Sequence, residues 1–114
     1  MSTLKVSTLQ NLSGTEVYTC KAWVNFNGTG TVAIRASGNV SSITDNGLGD
    51  YTVNFTSAMP DANYCLTGSG DNSGNAEVLL QAIGLKTTTQ CRVILAKPGV
   101  STGDGLIISA AIFR

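Results

Sequence analysis

AWVNFNGTGTVAIR, Ala22 to Arg35, and NVSSITDNGLGDYTVNF, Asn39 to Phe55, are the two stretches that decide the fold. In the first, Lys21 to Phe26 alternates with the two-residue period of a strand. Ala22, Val24 and Phe26 share one face, and Lys21, Trp23 and Asn25 share the other. Asn27 to Gly30 follows as a turn, because Asn and Gly tolerate positive φ. Thr31 to Ala36 returns with Val32 and Ile34 inward and Arg35 outward, which makes a hairpin. The second stretch repeats the device. Val40 to Thr44 and Tyr51 to Thr56 flank a turn at Asp45 to Gly49, with Tyr51, Val53 and Phe55 on the apolar face.

Working outward, Leu4 to Leu9 is a short apolar–polar alternation that stops at the turn cluster Asn11 to Gly14. Met59-Pro60-Asp61 interrupts the strand pattern, since Pro60 has no N–H to donate to a ladder. Tyr64 to Thr67 resumes it, and Gly68 to Asn75 reads as a mobile Gly-rich loop. Glu77 to Leu85 has the propensity of a short helix, but its β-branched content and the strands around it favour a strand. Thr87 to Ala96 is a strand with Cys91, Val93 and Leu95 on one side. Lys97-Pro98-Gly99 and Ser101 to Gly105 are turns. Leu106 to Phe113 is apolar on both faces, as expected of a strand central between layers or covered by another subunit. About eight short strands with Gly-rich turns predict an all-β, antiparallel, jelly-roll-like β-sandwich. Residues 1–20 form a lead-in or assembly segment, and residues 21–114 form a single sandwich domain.

Composition narrows the function. The chain has 114 residues, seven basic and seven acidic, and charged residues make up 12%, about half the usual ~25%. No basic stripe points to nucleic acid and no polybasic run to an anionic membrane. No apolar stretch approaches a membrane span or a secretory signal, so membrane insertion is not expected. A neutral, Thr/Ser/Asn/Gly-rich surface suits a protein that packs against copies of itself. Three widely spaced cysteines, Cys20, Cys65 and Cys91, form no CxxC. They read as free thiols in or near the core, with one intramolecular bridge and a spare Cys as the alternative.

The chain contains no His. That removes the commonest general base and metal ligand and every Ser-His or Cys-His pair. The acidic residues Asp45, Asp50, Asp61, Asp71 and Asp104 sit in turns, where Asp caps its own backbone. Asp71 to Asn75 has half the look of a calcium loop but lacks the downstream bidentate Glu. No enzyme, no cofactor and no metal is expected. Four Asn-X-Ser/Thr matches, at Asn11, Asn27, Asn39 and Asn54, are what an Asn/Ser/Thr-rich chain produces by chance. Trp23, the one Trp, lies on the polar face of its strand. It is either covered by a loop or subunit or serves as an aromatic platform for a sugar or partner. Tyr18, Tyr51 and Tyr64 read as core or rim residues.

The segment from Lys21 to Cys65, KAWVNFNGTGTVAIRASGNVSSITDNGLGDYTVNFTSAMPDANYC, resembles a module of tailed-bacteriophage tail-fibre and related virion proteins. Leu4 to Gly14 resembles the lead-in that often precedes it. The resemblance implies a non-enzymatic virion component, made in the host cytoplasm, oligomeric and often trimeric, in contact with other virion proteins. It transfers no site residues. In longer fibres the module sits toward a distal end. Here an initiator Met and the lack of a shaft suggest a free-standing small fibre or a decoration protein.

The leading expectation is a tail-fibre or receptor-binding protein whose loops touch a host glycan or protein. The candidate contacts are Asn27, Thr29, Asp45, Asn46, Leu48, Asp71, Asn72 and Asn75. Leu106, Ile108, Ile112 and Phe113 are the candidate oligomer interface. The alternatives are a capsid decoration protein and a small stand-alone carbohydrate-binding module. The last requires Trp23 or a Tyr to stand exposed beside hydrogen-bonding groups in a groove.

Overall fold

The computed structural model describes residues 3, 5–72, 75–96 and 103–114. Its elements are β1 (Cys20–Asn27), β2 (Ala33–Gly38), β3 (Val40–Gly47), β4 (Asp50–Phe55), β5 (Cys65–Asn72), β6 (Asn75–Lys86), β7 (Gln90–Ala96) and β8 (Ile107–Phe113). All pairings are antiparallel, in the order β2-β1-β8-β5-β6-β7-β4-β3. The chain is all-β, and the sheet folds over so that its two halves face each other.

The fold-over follows from sequence. The ends of the sheet, β2 and β3, are separated in the chain by Asn39 alone, which takes φ 56°. Register slips in β1, β3, β5 and β6 add the bends that let the sheet curl. The inner faces then meet. Ala22, Val24 and Phe26 of β1 and Ile108, Ala110 and Ile112 of β8 share a core with Tyr51, Val53 and Phe55 of β4 and Cys91, Val93 and Leu95 of β7. Phe26 meets Tyr51 edge to face at 5.2 Å, and Phe55 meets Tyr64 at 5.7 Å. Both fall in the range favoured by the ring quadrupoles. The alternation read in β1, β4 and β7 is the alternation buried here. β8, expected to be apolar on both faces, buries Ile108, Ala110 and Ile112 on one face and leaves the other partly exposed. Consecutive strands pair as hairpins four times, so the sandwich grows from hairpins rather than from the interleaved Greek keys of a jelly roll.

Several sequence expectations change. The turn expected at Asp45 to Gly49 is shorter, because β3 runs on to Gly47 and pairs Asp45 with Tyr51. Leu4 to Leu9 supplies no strand among the described residues. The lead-in instead closes a small turn, with a bridge between Gln10 and Glu16 and the Asn11 Oδ1 accepting from the backbone of Ser13 and Thr15. Gly68 to Asn75 is not a loop over most of its length. β5 continues to Asn72, pairing Gly68 with Ala110 and Asp71 with Ile107. Glycine occurs inside this strand because a Cβ at Gly70 would overlap Leu95 Cδ1 across the core. Finally, Ile108 and Ile112 are 0% exposed. They belong to the core of the single chain and cannot be a subunit interface, because β8 sits mid-sheet between β1 and β5. Leu106 and Phe113 remain on the surface.

The strand expected at Glu77 to Leu85 lies within β6. The turn expected at Lys97-Pro98-Gly99 and its continuation at Ser101 and Thr102 lie outside the described residues. Cys91 is buried, whereas Cys20 and Cys65 are exposed, and all three thiols are free.

Candidate functional site

β1 ends at Asn27 beside the start of β8, and β5 ends at Asn72 beside the same point. The Gly28 carbonyl accepts from the Tyr51 hydroxyl at 3.1 Å, so the start of β4 reaches this end too. The candidate contacts Asn27, Thr29, Asp45, Asn46, Leu48, Asp71, Asn72 and Asn75 therefore gather at one end of the sandwich. The lead-in joins β1 at Cys20, at the other end.

Most polar side chains in this loop end are committed to holding it. Asn27 Oδ1 accepts from the Thr29 amide at 3.0 Å and its hydroxyl at 2.6 Å. Asp45 Oδ1 accepts from the Gly47 amide at 3.0 Å. Asn46 Nδ2 donates to Thr52 Oγ1 at 2.8 Å. The residue that ties these turns together is Asp104, whose Oδ1 accepts from the Gly49 amide at 2.8 Å and the Tyr51 hydroxyl at 2.9 Å. Burial first, and the Asp104 carboxylate second, raise the Tyr51 phenol above its ordinary range. In the sequence Asp104 reads as one more turn aspartate. Its Gly-Asp-Gly setting carries no sign of a partner more than fifty residues away. Leu48, by contrast, projects from the loop end 64% exposed.

Two further acids are held in ion pairs. Asp50 forms a two-pronged pair with Arg92, whose hydrogen bond leads in holding the carboxyl below the usual carboxylate range. Asp61 pairs with Arg114, chiefly through that hydrogen bond, and is lowered to about 2. Asp71 lies in β5 rather than in a chelating loop. Among the described residues no three His, Cys, Asp or Glu side chains converge as metal ligands.

A second surface lies on the outer face of the layer β1-β8-β5. Trp23 and Asn25 of β1, Ser109 and Ala111 of β8, and Thr67, Gly68 and Ser69 of β5 line an open groove of about 460 Å³. These positions face outward because their neighbours Ala22, Val24, Ile108 and Ala110 face inward. Trp23 is 44% exposed. Its pyrrole edge rests on Gly38, the residue paired with it on β2, where a Cβ would overlap Nε1. Asn25 Nδ2 donates to Ser109 Oγ at 3.2 Å. Arg35 donates to Asn25 Oδ1 at 3.3 Å and to the Leu106 carbonyl at 2.6 Å. The periodicity of β1 placed Trp23 on this face. That small residues from two distant strands would leave a trough beside it was not visible in the sequence.

The chain matches no family model, no curated protein and no solved structure.

Proposed function

We propose that this chain is a non-enzymatic attachment protein of a bacteriophage particle, a small tail-fibre or receptor-binding module that assembles as a homotrimer. One observation carries the reading: the lead-in enters the sandwich at one end, and the pre-formed loops stand together at the other. A module anchored through its lead-in would present those loops outward. The resemblance over Lys21 to Cys65 names the setting. Surface loops on a rigid scaffold are where contact residues concentrate, and three copies of a weak contact gain affinity through effective concentration.

Leu48 and Thr29 are the side chains to change. Leu48→Asp is expected to reduce adsorption of the particle, or competition by the purified protein, without moving the unfolding midpoint. Thr29→Lys is expected to reduce it with a small loss of stability from the broken Asn27 bond. Normal adsorption by both variants would remove the loop end from the proposal.

A capsid decoration role is the second reading. It is favoured by the exposed apolar residues of the lead-in, Val6, Leu9, Leu12, Val17 and Tyr18, which suit a clamp on neighbouring subunits. Copy number separates the two. Icosahedral decoration gives on the order of hundreds of copies per particle, and an axial fibre gives roughly tens.

A further inference from the structure

We infer that the outer groove beside Trp23 is a binding site for a neutral oligosaccharide. A pyranose ring has an apolar C–H face and a rim of hydroxyls. The groove offers the complement of both. Trp23 supplies a flat, half-exposed indole seated on Gly38, and aromatic side chains favour such mixed apolar and polar contacts. Asn25, Ser109, Thr67 and Ser69 surround it with an amide and three hydroxyls. The Ser109 hydroxyl accepts from Asn25 and so keeps its own proton to donate. The hydroxyls of Thr67 and Ser69 have no partner among the described residues. A volume of about 460 Å³ lies inside the roughly 300–1,000 Å³ range of small-ligand sites.

The class of ligand follows from what the groove lacks. None of its lining residues is charged. Of the cations on this face, Arg35 already turns its guanidinium toward Asn25 and the Leu106 carbonyl, and Lys21 lies on β1 outside the lining, so an anionic sugar would find no charge within the groove. β1 and β8 are paired on both sides, and β5 pairs with β8 along its length and with β6 from Ser69 onward. Among the described residues the run Cys65 to Gly68 lacks a ladder partner on the β6 side, too short an edge for an extended peptide to join, so the ligand must bring its own hydrogen-bonding groups. This inference is independent of the virion reading, because it concerns a different surface from the loop end.

The single Trp is a built-in reporter. Emission of the full chain would be titrated with gluco-, manno-, galacto- and xylo-oligosaccharides, with oligogalacturonate as the charged control. A saturable change is expected with at least one neutral series. By calorimetry, Trp23→Ala should weaken that binding at least about tenfold, and Trp23→Phe should weaken it less. Gly38→Ala, which pushes the indole off its seat, should weaken it while leaving the unfolding midpoint close to that of the parent. Leu48→Asp should bind as the parent does. Four outcomes would overturn the inference: no response to any neutral series, undiminished binding by a folded Trp23→Ala or Gly38→Ala, response to oligogalacturonate alone, or Trp23 emission already shielded by a second copy.

Discussion

Cys91 shows how much one buried side chain can report. It is 0% exposed between Val53 of β4 and the inner face of the other layer. Burial pushes its thiol from 9.0 up to about 11, against smaller pulls downward from the Tyr64 hydroxyl and the Lys86 ammonium. Because the folded value lies above the unfolded one, this contribution to stability is complete below about pH 9 and disappears as pH rises through about 11. A shift of that size corresponds to on the order of 3 kcal/mol. Urea unfolding should therefore be flat near neutrality and weaken between pH 9 and 11. Cys91→Ala should flatten the first part of that decline while costing about 1 kcal/mol overall through lost packing. Tyr64, raised to about 12 mainly by burial, extends the decline further. In the native protein a thiol reagent should modify Cys20 and Cys65 quickly and Cys91 only on unfolding. Three equally fast thiols would contradict the packing described here.

At the scale of elements, Asn39 matters more than its sequence setting suggests. Its Nδ2 donates to the Lys21 and Ser57 carbonyls at 3.1 Å each, its Oδ1 accepts from the Ser57 amide at 2.7 Å, and its carbonyl accepts from Thr56 at 3.1 Å. One side chain thus joins the β2–β3 corner, the start of β1 and the segment leaving β4. In the sequence it appeared only as part of a chance Asn-X-Ser match, because its partners are eighteen residues away on either side. Asn39→Ala is expected to lose about 2–4 kcal/mol, combining the lost hydrogen bonds with the strain of a positive φ. Asn39→Gly should lose less, since glycine accepts that angle. Denaturant midpoints of the pair test this, and equal losses would mean that the backbone angle contributes nothing. Gly70→Ala in β5 should also destabilise, by about 1–3 kcal/mol, because the added methyl must displace Leu95.

For the whole molecule, the radius of gyration is 15.5 Å, against about 13 Å for a compact chain of this length. The lead-in is the segment least tied to the rest. Among the described residues no hydrogen bond joins it to the sandwich, and none of its residues enters the core. Deleting residues 1–19 should leave the unfolding free energy within about 1 kcal/mol of the parent and reduce the number of copies per assembly seen by light scattering. A large loss of stability with an unchanged number of copies would place the lead-in in the fold rather than in assembly. The two faces of β8 separate similarly. Ile108→Ala or Ile112→Ala should cost about 2–5 kcal/mol. Leu106→Ser and Phe113→Ser should leave the fold intact and act on association.

The sequence by itself determined most of the strands and the buried faces of β1, β4 and β7. Ala22, Val24, Phe26, Tyr51, Val53, Phe55, Cys91, Val93 and Leu95 are all read as one-sided and are all buried, because side-chain alternation is a local property of an extended chain. Only the tertiary structure decided which strands are neighbours, and with that everything depending on distant pairs. It put Gly68 to Asn72 in a strand, moved Ile108 and Ile112 from interface to core, brought Asp104 to Gly49 and Tyr51, and set Ser109 and Thr67 beside Trp23. Those outcomes rest on contacts between segments far apart in the chain, where periodicity fixes the facing of each residue but not its partner.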